Sequence, residues 1–547
     1  MEKRKRSQAV FKPYHQNQVV LLPPSIDELI PSGHLVRLVN MSVDRITIDS
    51  ILSTYKGGGT SSYHPRMMLK VMIYAYTQRI YSSRRMAKAL REDIHFMWLS
   101  GGNRPDFRTL NGFRSSRLKG VIEKIFVEVL GLLIEEGLVK LEDLYLDGTK
   151  LESAANRFTH VWAKSTKRNK DGLQEKVRIL LDQIDTVNEE ENRQYGDRDL
   201  EEVGRSEGFD SERLMEKLKE LEKRLAEKPG DHVLKKACKT MREDIIPRQK
   251  RYERQEQLLG ERNSYSKTDP DATFMRMKGD LPGNNQLRPA YNVQMGVEGQ
   301  YVVSYSIHQN PGDTSHLIPH LERHKEQTGI VPKKLIADGA YGSEENYRYM
   351  EGRNIQGYVK YPSFYFEKTR RYRVDIFRSE KLPYDVETDT YICPSGKRLR
   401  HLYDTTSLTA NGYQNRIRVY RSEDCGGCTL KSRCHRSEGN RVIKVNESLR
   451  IYREKARLLL ESPEGKRYRS QRSVEVETVF GQIKQNMGFR RFMLRGLKKV
   501  TIEYGLLSIA QNLKKWSNKE KLFGPILWYL KFLKFECPSL LIGDHIV

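Results

Sequence analysis

Two short apolar runs far apart in the chain, Leu144-Tyr145-Leu146 and Leu335-Ile336-Ala337, each end in an aspartate followed at once by glycine. Short apolar runs closed by turn-forming residues read as buried strands, here ending at Asp147 and Asp338. The first is followed by "GLQEKVRILLDQIDTVNEEENRQ" and "DSERLMEKLKELEKRLAEK", long charged segments that are apolar only in stripes. They predict a helical hairpin or coiled-coil-like insert through about residue 262. Strand texture returns in "PAYNVQMGVEGQYVVSYSIHQ", where Gly299 supplies a hairpin turn within Glu298–Gln300. A helix start near Asp313, best read as its N-cap, precedes the second strand-ending aspartate. The order strand, insert, strand, strand, helix, strand, helix calls for a mixed α/β sheet carrying insertions. A single core does not absorb 547 residues, so several units are expected.

Residues 1–140 read as a helical domain. "HPRMMLKVMIYAYTQRIYSSRRMAKALREDIHFMWLSG" has apolar residues at helical spacing with a break at "YSSRR", where Ser82 or Ser83 caps a new helix. Short helices with arginines at the joints fit a helix-turn-helix as well as a plain bundle. The cations Arg84, Arg85, Lys88, Arg104, Arg108, Arg114, Arg117 and Lys119 tilt the reading towards DNA. The core is expected in three pieces, residues 141–165, 263–360 and 451–516. Between them lie the helical insert at 166–262 and a Cys-containing insert at 361–450, and a tail covers 517–547.

Lys and Arg number 96 against 71 Asp and Glu, a net charge of +25. Such an excess favours a polyanionic partner, nucleic acid before others. "MEKRKRSQAV" starts charged without an apolar run behind it, and "LFGPILWYLKFLKFECPSLLIG" is too interrupted to span a bilayer, so a soluble cytoplasmic protein is expected. Six cysteines are too few for a disulfide scaffold. Cys393 in "YICPSGKRL" and Cys425, Cys428 and Cys434 in "EDCGGCTLKSRCHRS" instead have a spacing suited to structural zinc, with His435 an alternative ligand to Cys434. The competing reading is four unrelated thiols; Cys238 and Cys537 read as ordinary ones.

Near the C-terminus, eight Lys or Arg face one acid, Glu503, between Lys484 and Trp516, with Phe489, Phe492, Met493 and Leu494 interleaved. That pattern predicts a phosphate-tracking surface, with Arg490, Arg491, Arg495, Lys498 and Lys499 as its cations. Just upstream, Glu477 sits in "VEVETVFGQIK", early on a helix. Cleavage and joining of polynucleotides use two divalent ions held largely by carboxylate oxygen. Asp147, Asp338 and Glu477 would meet that need if the fold gathers them. Glu475 points to another side of the helix, Asp269 and Asp271 in "SKTDPDATF" read as a turn, and Glu344 and Glu345 as a favourable first helical turn.

The blocks "LYLDGTKLESAAN", "LIADGAYGSEENY" and "RSVEVETVFGQIKQNMGFRRFMLRGL" resemble the three signature blocks of bacterial insertion-sequence DDE transposases, in the right order. The resemblance runs from about Phe11 to Trp516 and takes in "FKPYHQNQ" and the Cys-bearing insert. It implies an α/β fold: an RNase H-like mixed-sheet catalytic core with a helical N-terminal domain, a long helical insert and a small Cys-containing insert. It implies a catalytic triad of Asp147, Asp338 and Glu477 binding two Mg2+ (or Mn2+) ions. The family's third block also follows Y-x2-R-x3-E-x6-K. Lys484 stands at the expected spacing after Glu477 and is carried over as catalytic. Arg472 and Tyr468 depart from the pattern, with four residues rather than three between Arg472 and Glu477, and three rather than two between Tyr468 and Arg472. Arg472 joins Arg84 and Arg85 among the expected DNA contacts. The function implied is binding of terminal inverted repeats, metal-dependent strand cleavage and strand transfer, on double-stranded DNA and by a homodimer, at the nucleoid when bound. The alternatives are a non-catalytic zinc-containing regulator derived from a transposase, and a metal-dependent DNA endonuclease.

Overall fold

The computed structural model describes residues 25–55, 62–195, 208–277 and 286–536. "FKPYHQNQ", the charged start, Cys537 and the end of the tail lie outside them. The strands are, in chain order, β1 (Asp143–Glu152), β2 (His160–Trp162), β3 (Ser264–Ser266), β4 (Thr273–Met275), β5 (Arg288–Glu298), β6 (Tyr301–His308), β7 (Lys334–Ala337) and β8 (Gln356–Val359). The later insert adds β9 (Tyr384–Asp385), β10 (Thr390–Ile392), β11 (Arg398–Leu408), β12 (Gln414–Ser422) and β13 (Val442–Val445).

The central sheet joins an antiparallel half to a parallel half. β5 pairs antiparallel with β6 and with β1, while β1, β7 and β8 run parallel to one another, and the short β4 continues the edge of β5. The β5–β6 connection is a two-residue turn with Gly299 at φ 55° and Gln300 at φ 61°, the paired left-handed conformations of a tight hairpin. The helices Leu317–Thr328 and Glu344–Gly352 make the crossovers that parallel neighbours require. With helices on its faces, this mixed sheet is an RNase H-like core.

One expectation changes in detail. β1 does not stop at Asp147: it runs on to Glu152, held by its antiparallel register with β5 as far as Glu152↔Ala290. Its parallel register with β7 ends at Leu146↔Ala337. Asp147 therefore stands where β1 outlasts its parallel neighbour, one step beyond the last pair, and Asp338 is the next residue on the other side.

The N-terminal region is helical, with Leu35–Arg45, Pro65–Thr77, Ser83–Glu92, Ile94–Ser100, Phe107–Gly112 and Ile122–Glu135 among its helices. Pro65 opens its helix at a position where no N–H is needed, and Asp106 caps the next-but-two by accepting from Thr109 N at 2.7 Å. Ser82 takes the N-cap position but makes no capping bond, and Ser83 Oγ instead accepts from the buried Arg114 at 3.4 Å. These helices do not form a core of their own. Their apolar faces, from Ile30 to Leu133, belong to the same continuous core as the sheet and the helix beginning at Leu497.

The first insert is more than a hairpin. Ala163–Tyr195, Ser211–Glu227, His232–Thr240 and Ile246–Leu259 pack round a separate core that includes Leu173, Val177, Leu214, Leu221, Leu234 and Met241. The shorter helices supply a second apolar face to the two stripes legible in the sequence. The Cys-bearing insert is a five-stranded antiparallel sheet in the order β13-β12-β11-β10-β9. No helix among the described residues is long and apolar enough to cross a membrane.

Candidate active site

A single helical run, Pro463–Asn486, is laid along β1, and side chains of alternate β1 residues meet it in order. Tyr468 OH donates to Asp143 Oδ2 at 2.7 Å, Tyr145 OH to Gln471 Oε1 at 3.1 Å, and Lys484 Nζ to Thr149 Oγ1. Between these, Arg472 Nη2 lies 2.8 Å from Asp147 Oδ2. The period-two alternation of the strand explains why these odd-numbered residues share one face.

The run is not a plain α-helix. Ser473–Glu477 and Gln482–Asn486 are π-helical turns. A π turn closes i→i+5 and so takes up one extra residue. The interval from Arg472 to Glu477 is five positions, so the additional residue that breaks the Y-x2-R-x3-E-x6-K spacing is absorbed within one turn. Tyr468 and Arg472, four apart on the preceding α segment, share its face towards β1.

Arg472 also reaches Asp338: its Nη2 lies 4.0 Å from Asp338 Oδ2. One cationic nitrogen thus stands between the two aspartates of the neighbouring parallel strands. Asp338 does two things at once. Its Oδ1 accepts from Ala340 N at 2.8 Å, capping the 3-10 turn Gly339–Tyr341, while its Oδ2 faces the guanidinium. Arg472 and Asp147 are both 8% exposed, so this is a buried pair.

Glu477 ends the first π turn and is solvent-exposed, on the stretch of helix between the Arg472–Asp147 and Lys484–Thr149 contacts. Glu475 turns away and accepts from Gln300 N at 2.6 Å at the β5–β6 turn, where burial pushes its carboxyl up. The structure therefore brings Asp147 and Asp338 to one cation and leaves Glu477 on the adjoining helix, short of a closed three-carboxylate cluster. Among the described residues, no group of three or more His, Cys, Asp or Glu side chains is gathered as a metal site. The oxygen donors of Asp147 and Asp338 are of the kind that suits a hard cation.

Behind the aspartates, on the other face of the sheet, lies a buried polar group that the sequence did not reveal. Tyr341, the third residue after Asp338, donates its hydroxyl to Gln294 Oε1. Gln294 Nε2 donates to Asp313 Oδ1 at 2.9 Å, as does Asn292 Nδ2 at 2.7 Å. Asp313 therefore does not cap its helix with its side chain. Gly148 makes this packing feasible: a Cβ there would stand 2.5 Å from Gln294 Nε2 and 2.6 Å from Asp313 Oδ1. Gly342 serves likewise, since a Cβ would lie 2.3 Å from Lys360 O, and its φ of −76° shows that close approach, not a left-handed turn, requires glycine. Ser343 caps the helix Glu344–Gly352, with Glu344 and Glu345 in its first turn as expected.

Asp269 and Asp271 are more than a turn. Asp269 is buried, accepts from Tyr291 OH at 2.9 Å and from Gly496 N at 3.0 Å, and Asp271 Oδ2 accepts from Leu497 N at 2.7 Å. They fix the chain where it enters the helix that begins at Leu497.

Of the cations expected on DNA, Arg84, Arg85, Arg490, Arg491, Arg495, Lys498 and Lys499 are exposed, and Arg472 is buried. Arg84 lies over the Phe107 ring at 5.2 Å. Several of them also donate within the protein: Arg472 to Asp147, Arg490 to Lys484 O at 3.3 Å, Arg491 to Ser153 O and Ala155 O at 3.0 and 3.1 Å, and Arg495 to Ala154 O at 2.7 Å. Tyr81 OH donates to Met487 O at 2.7 Å, which ties the start of the Arg84-bearing helix to the end of the Lys484 helix.

In the second insert, Cys393, Cys425, Cys428, Cys434 and His435 line one cavity of about 20 Å³, the room of one ion or water. Arg441 donates from its backbone N to Cys425 Sγ at 3.4 Å and from its guanidinium to Cys434 Sγ at 3.2 Å. Backbone hydrogen bonding from Leu430 holds the Cys428 thiol below its ordinary value, whereas burial raises that of Cys434.

Residues 392–517 match the family described as a transposase DDE domain, and residues 24–116 match the transposase domain (DUF772). The first match contains Arg472, Glu477 and Lys484; Asp147 and Asp338 precede it. No curated protein and no solved structure matches the chain.

Proposed function

We propose that the chain is an insertion-sequence DDE transposase that binds the terminal inverted repeats of its element, cleaves them and joins the freed ends to target DNA, a reading supported by the two matched segments. The observation that carries the reading is the approach of Asp147 and Asp338 to one cationic nitrogen, beside the helix that bears Glu477 and Lys484. Asp147, Asp338 and Glu477 are the residues that would hold two divalent ions, Mg2+ or Mn2+. Such ions, when bound, activate the attacking oxygen and neutralise charge on the leaving one. Asp147 and Asp338 fix the position of the scissile phosphate from two adjacent strands. Lys484, oriented by Thr149, supplies a cation to a phosphate oxygen. Arg472 places one positive charge between the two carboxylates before the ions arrive. Arg84, Arg85, Arg490, Lys498 and Lys499 contact the duplex backbone. Bringing two element ends together calls for at least a dimer. Cys393, Cys425, Cys428 and Cys434 would hold a structural zinc, a reading supported by their sharing one ion-sized cavity.

The experiment is incubation of the purified protein with Mg2+ and DNA bearing the element's ends, followed by analysis of cut and joined products. Cleavage with joining is expected, and neither with Asp338→Asn, although that variant still binds the ends. Binding without any cleavage by the parent protein would leave a regulator, and cleavage without joining would leave an endonuclease. If Asp338→Asn cut as well as the parent, the site would lie elsewhere.

A further inference from the structure

We infer that residues 360–378, a strap that follows β8, form a second DNA-contact surface, one that holds the duplex beyond the cleaved bond. The inference rests on the transposase reading and adds an element that neither family match contains. β8 is the edge strand next to β7, so the strap begins beside Asp338: Lys360 N lies 3.5 Å from Ala337 O. A Cβ on Gly339 would stand 3.4 Å from Tyr361 O, so the two post-strand loops pack back to back.

The strap interleaves aromatic rings with cations. Lys360 Nζ lies 5.0 Å from the centre of the Tyr365 ring, Lys368 Nζ 4.4 Å from that of Phe364, and the Arg378 guanidinium 4.6 Å from that of Phe366. Arg469 crosses over Phe364 at 5.3 Å, and it is three residues before Arg472 on the same helix. The strap is thus bound to the active-site helix itself. Between Lys368 and Arg378, on the short helix Arg370–Val374, Arg370, Arg371 and Arg373 are exposed, and no carboxylate among the described residues pairs with them. Tyr365, five residues before Arg370, is 57% exposed.

Arginines without carboxylate partners, on the same strap as an exposed tyrosine, fit a phosphate backbone with a base or sugar against the ring. The location decides which DNA. Arg84, Arg85 and Arg490 adjoin the far end of the Lys484 helix, whereas the strap adjoins the opposite, β8 edge of the sheet. A duplex whose scissile phosphate lies at Asp147 and Asp338 has one arm towards each surface. With the element end on the N-terminal helices, the strap receives the DNA on the other side of the bond.

The test compares two duplexes carrying the element's end, one with flanking DNA and one finishing at the cleaved bond, bound to the full chain without divalent ions. Replacing Arg370, Arg371 and Arg373 together by Ser is expected to weaken the flanked duplex and lower its salt slope by about 0.9 for each phosphate no longer neutralised. The pre-cut duplex should bind as it does to the parent. A second variant, Tyr365→Ala, should abolish the fluorescence change of a 2-aminopurine placed in the flank next to the bond. Equal weakening on both duplexes, weakening on neither, or an unchanged fluorescence response with Tyr365→Ala would overturn the assignment. None of these readouts requires cleavage, so they are independent of the outcome of the cleavage assay.

Discussion

Arg472 and Glu477 stand five positions apart, and the π turn Ser473–Glu477 spans that interval in one revolution of the helix. In an α-helix the same interval would carry Glu477 well past the face on which Arg472 meets Asp147. The π turn therefore compensates for one surplus residue in this helix. Deleting the exposed Val474 should convert it to an ordinary α turn, with folding, and end cleavage within about tenfold of the parent, about 1.4 kcal/mol in barrier. Inserting one alanine at the same place should abolish cleavage. Circular dichroism and the cleavage assay check both, and a dead deletion variant with intact helicity would refute the compensation.

Replacing Arg472 removes the partner of a buried carboxylate. Breaking a buried pair from one side costs about 3 kcal/mol or more, so Arg472→Gln should melt well below the parent. A divalent ion bound to the folded state then stabilises by mass action. Titrating Mg2+ into the variant should raise its melting temperature more than it raises the parent's. Equal responses would mean that no ion takes the guanidinium's place between Asp147 and Asp338.

Tyr341 and Gln294 connect the loop after Asp338 to the strand beside Asp147. Tyr341→Phe leaves Gln294 Oε1 unsatisfied in a buried site, a loss of about 1–3 kcal/mol. Gly148→Ala should cost a similar amount through overpacking against Gln294 and Asp313. Denaturant unfolding measures both. Both variants should also need more Mg2+ for half-maximal cleavage, since each disturbs the spacing of the aspartates.

Glu503 is wholly buried, accepts from Met493 N and Leu494 N at 3.0 Å each, and has its carboxyl pushed by burial from 4.5 to about 7. The folded state therefore binds this proton more tightly than the unfolded chain does. Its contribution is fully present below about pH 4.5 and is lost as pH rises through about 7. The difference is about 3 kcal/mol at 1.36 kcal/mol per unit. Glu503→Gln should remove that slope, so the stability of the variant relative to the parent rises between those pH values. A difference independent of pH, read from thermal melts, would contradict the assignment.

Zinc is checked by metal analysis of the purified protein before and after chelation. Cys425→Ser combined with Cys428→Ser should remove about one equivalent and lower the melting temperature of the second insert. Unchanged zinc content would mean that the four thiols merely share a cavity.

The acids at the site are legible in the sequence because Asp147 and Asp338 each follow a short apolar run, a local pattern that needs no knowledge of partners. The length of β1 is not, since its continuation to Glu152 depends on pairing with β5, a long-range register. Spacing undervalues Arg472 because it assumes a uniform helix, and nothing in "RSVEVETVFG" announces a π turn. Asp313 looks like a cap from its place before a helix, but its side chain is claimed by two amides from β5, visible only when the strand is in place. The strap does carry a signal, "KYPSFYFEKTRRYRVDIFR", with aromatics and cations alternating. That signal has neither helical nor strand periodicity, so it attaches to no element. β9 to β13 are hidden because β11 exposes residues on both faces, which erases the alternation that marks a strand.

The N-terminal helices and the central sheet share one apolar core, from Ile30 to Trp516. On the proposed function, recognition and cutting would therefore not be separable modules. A fragment lacking the first 140 residues would expose the faces of β6 and of the helix beginning at Leu497, and a foreign DNA-binding unit could not simply be exchanged for them. In such a chain, new end specificity has to arise one surface substitution at a time, on helices whose buried sides are already committed to the enzyme.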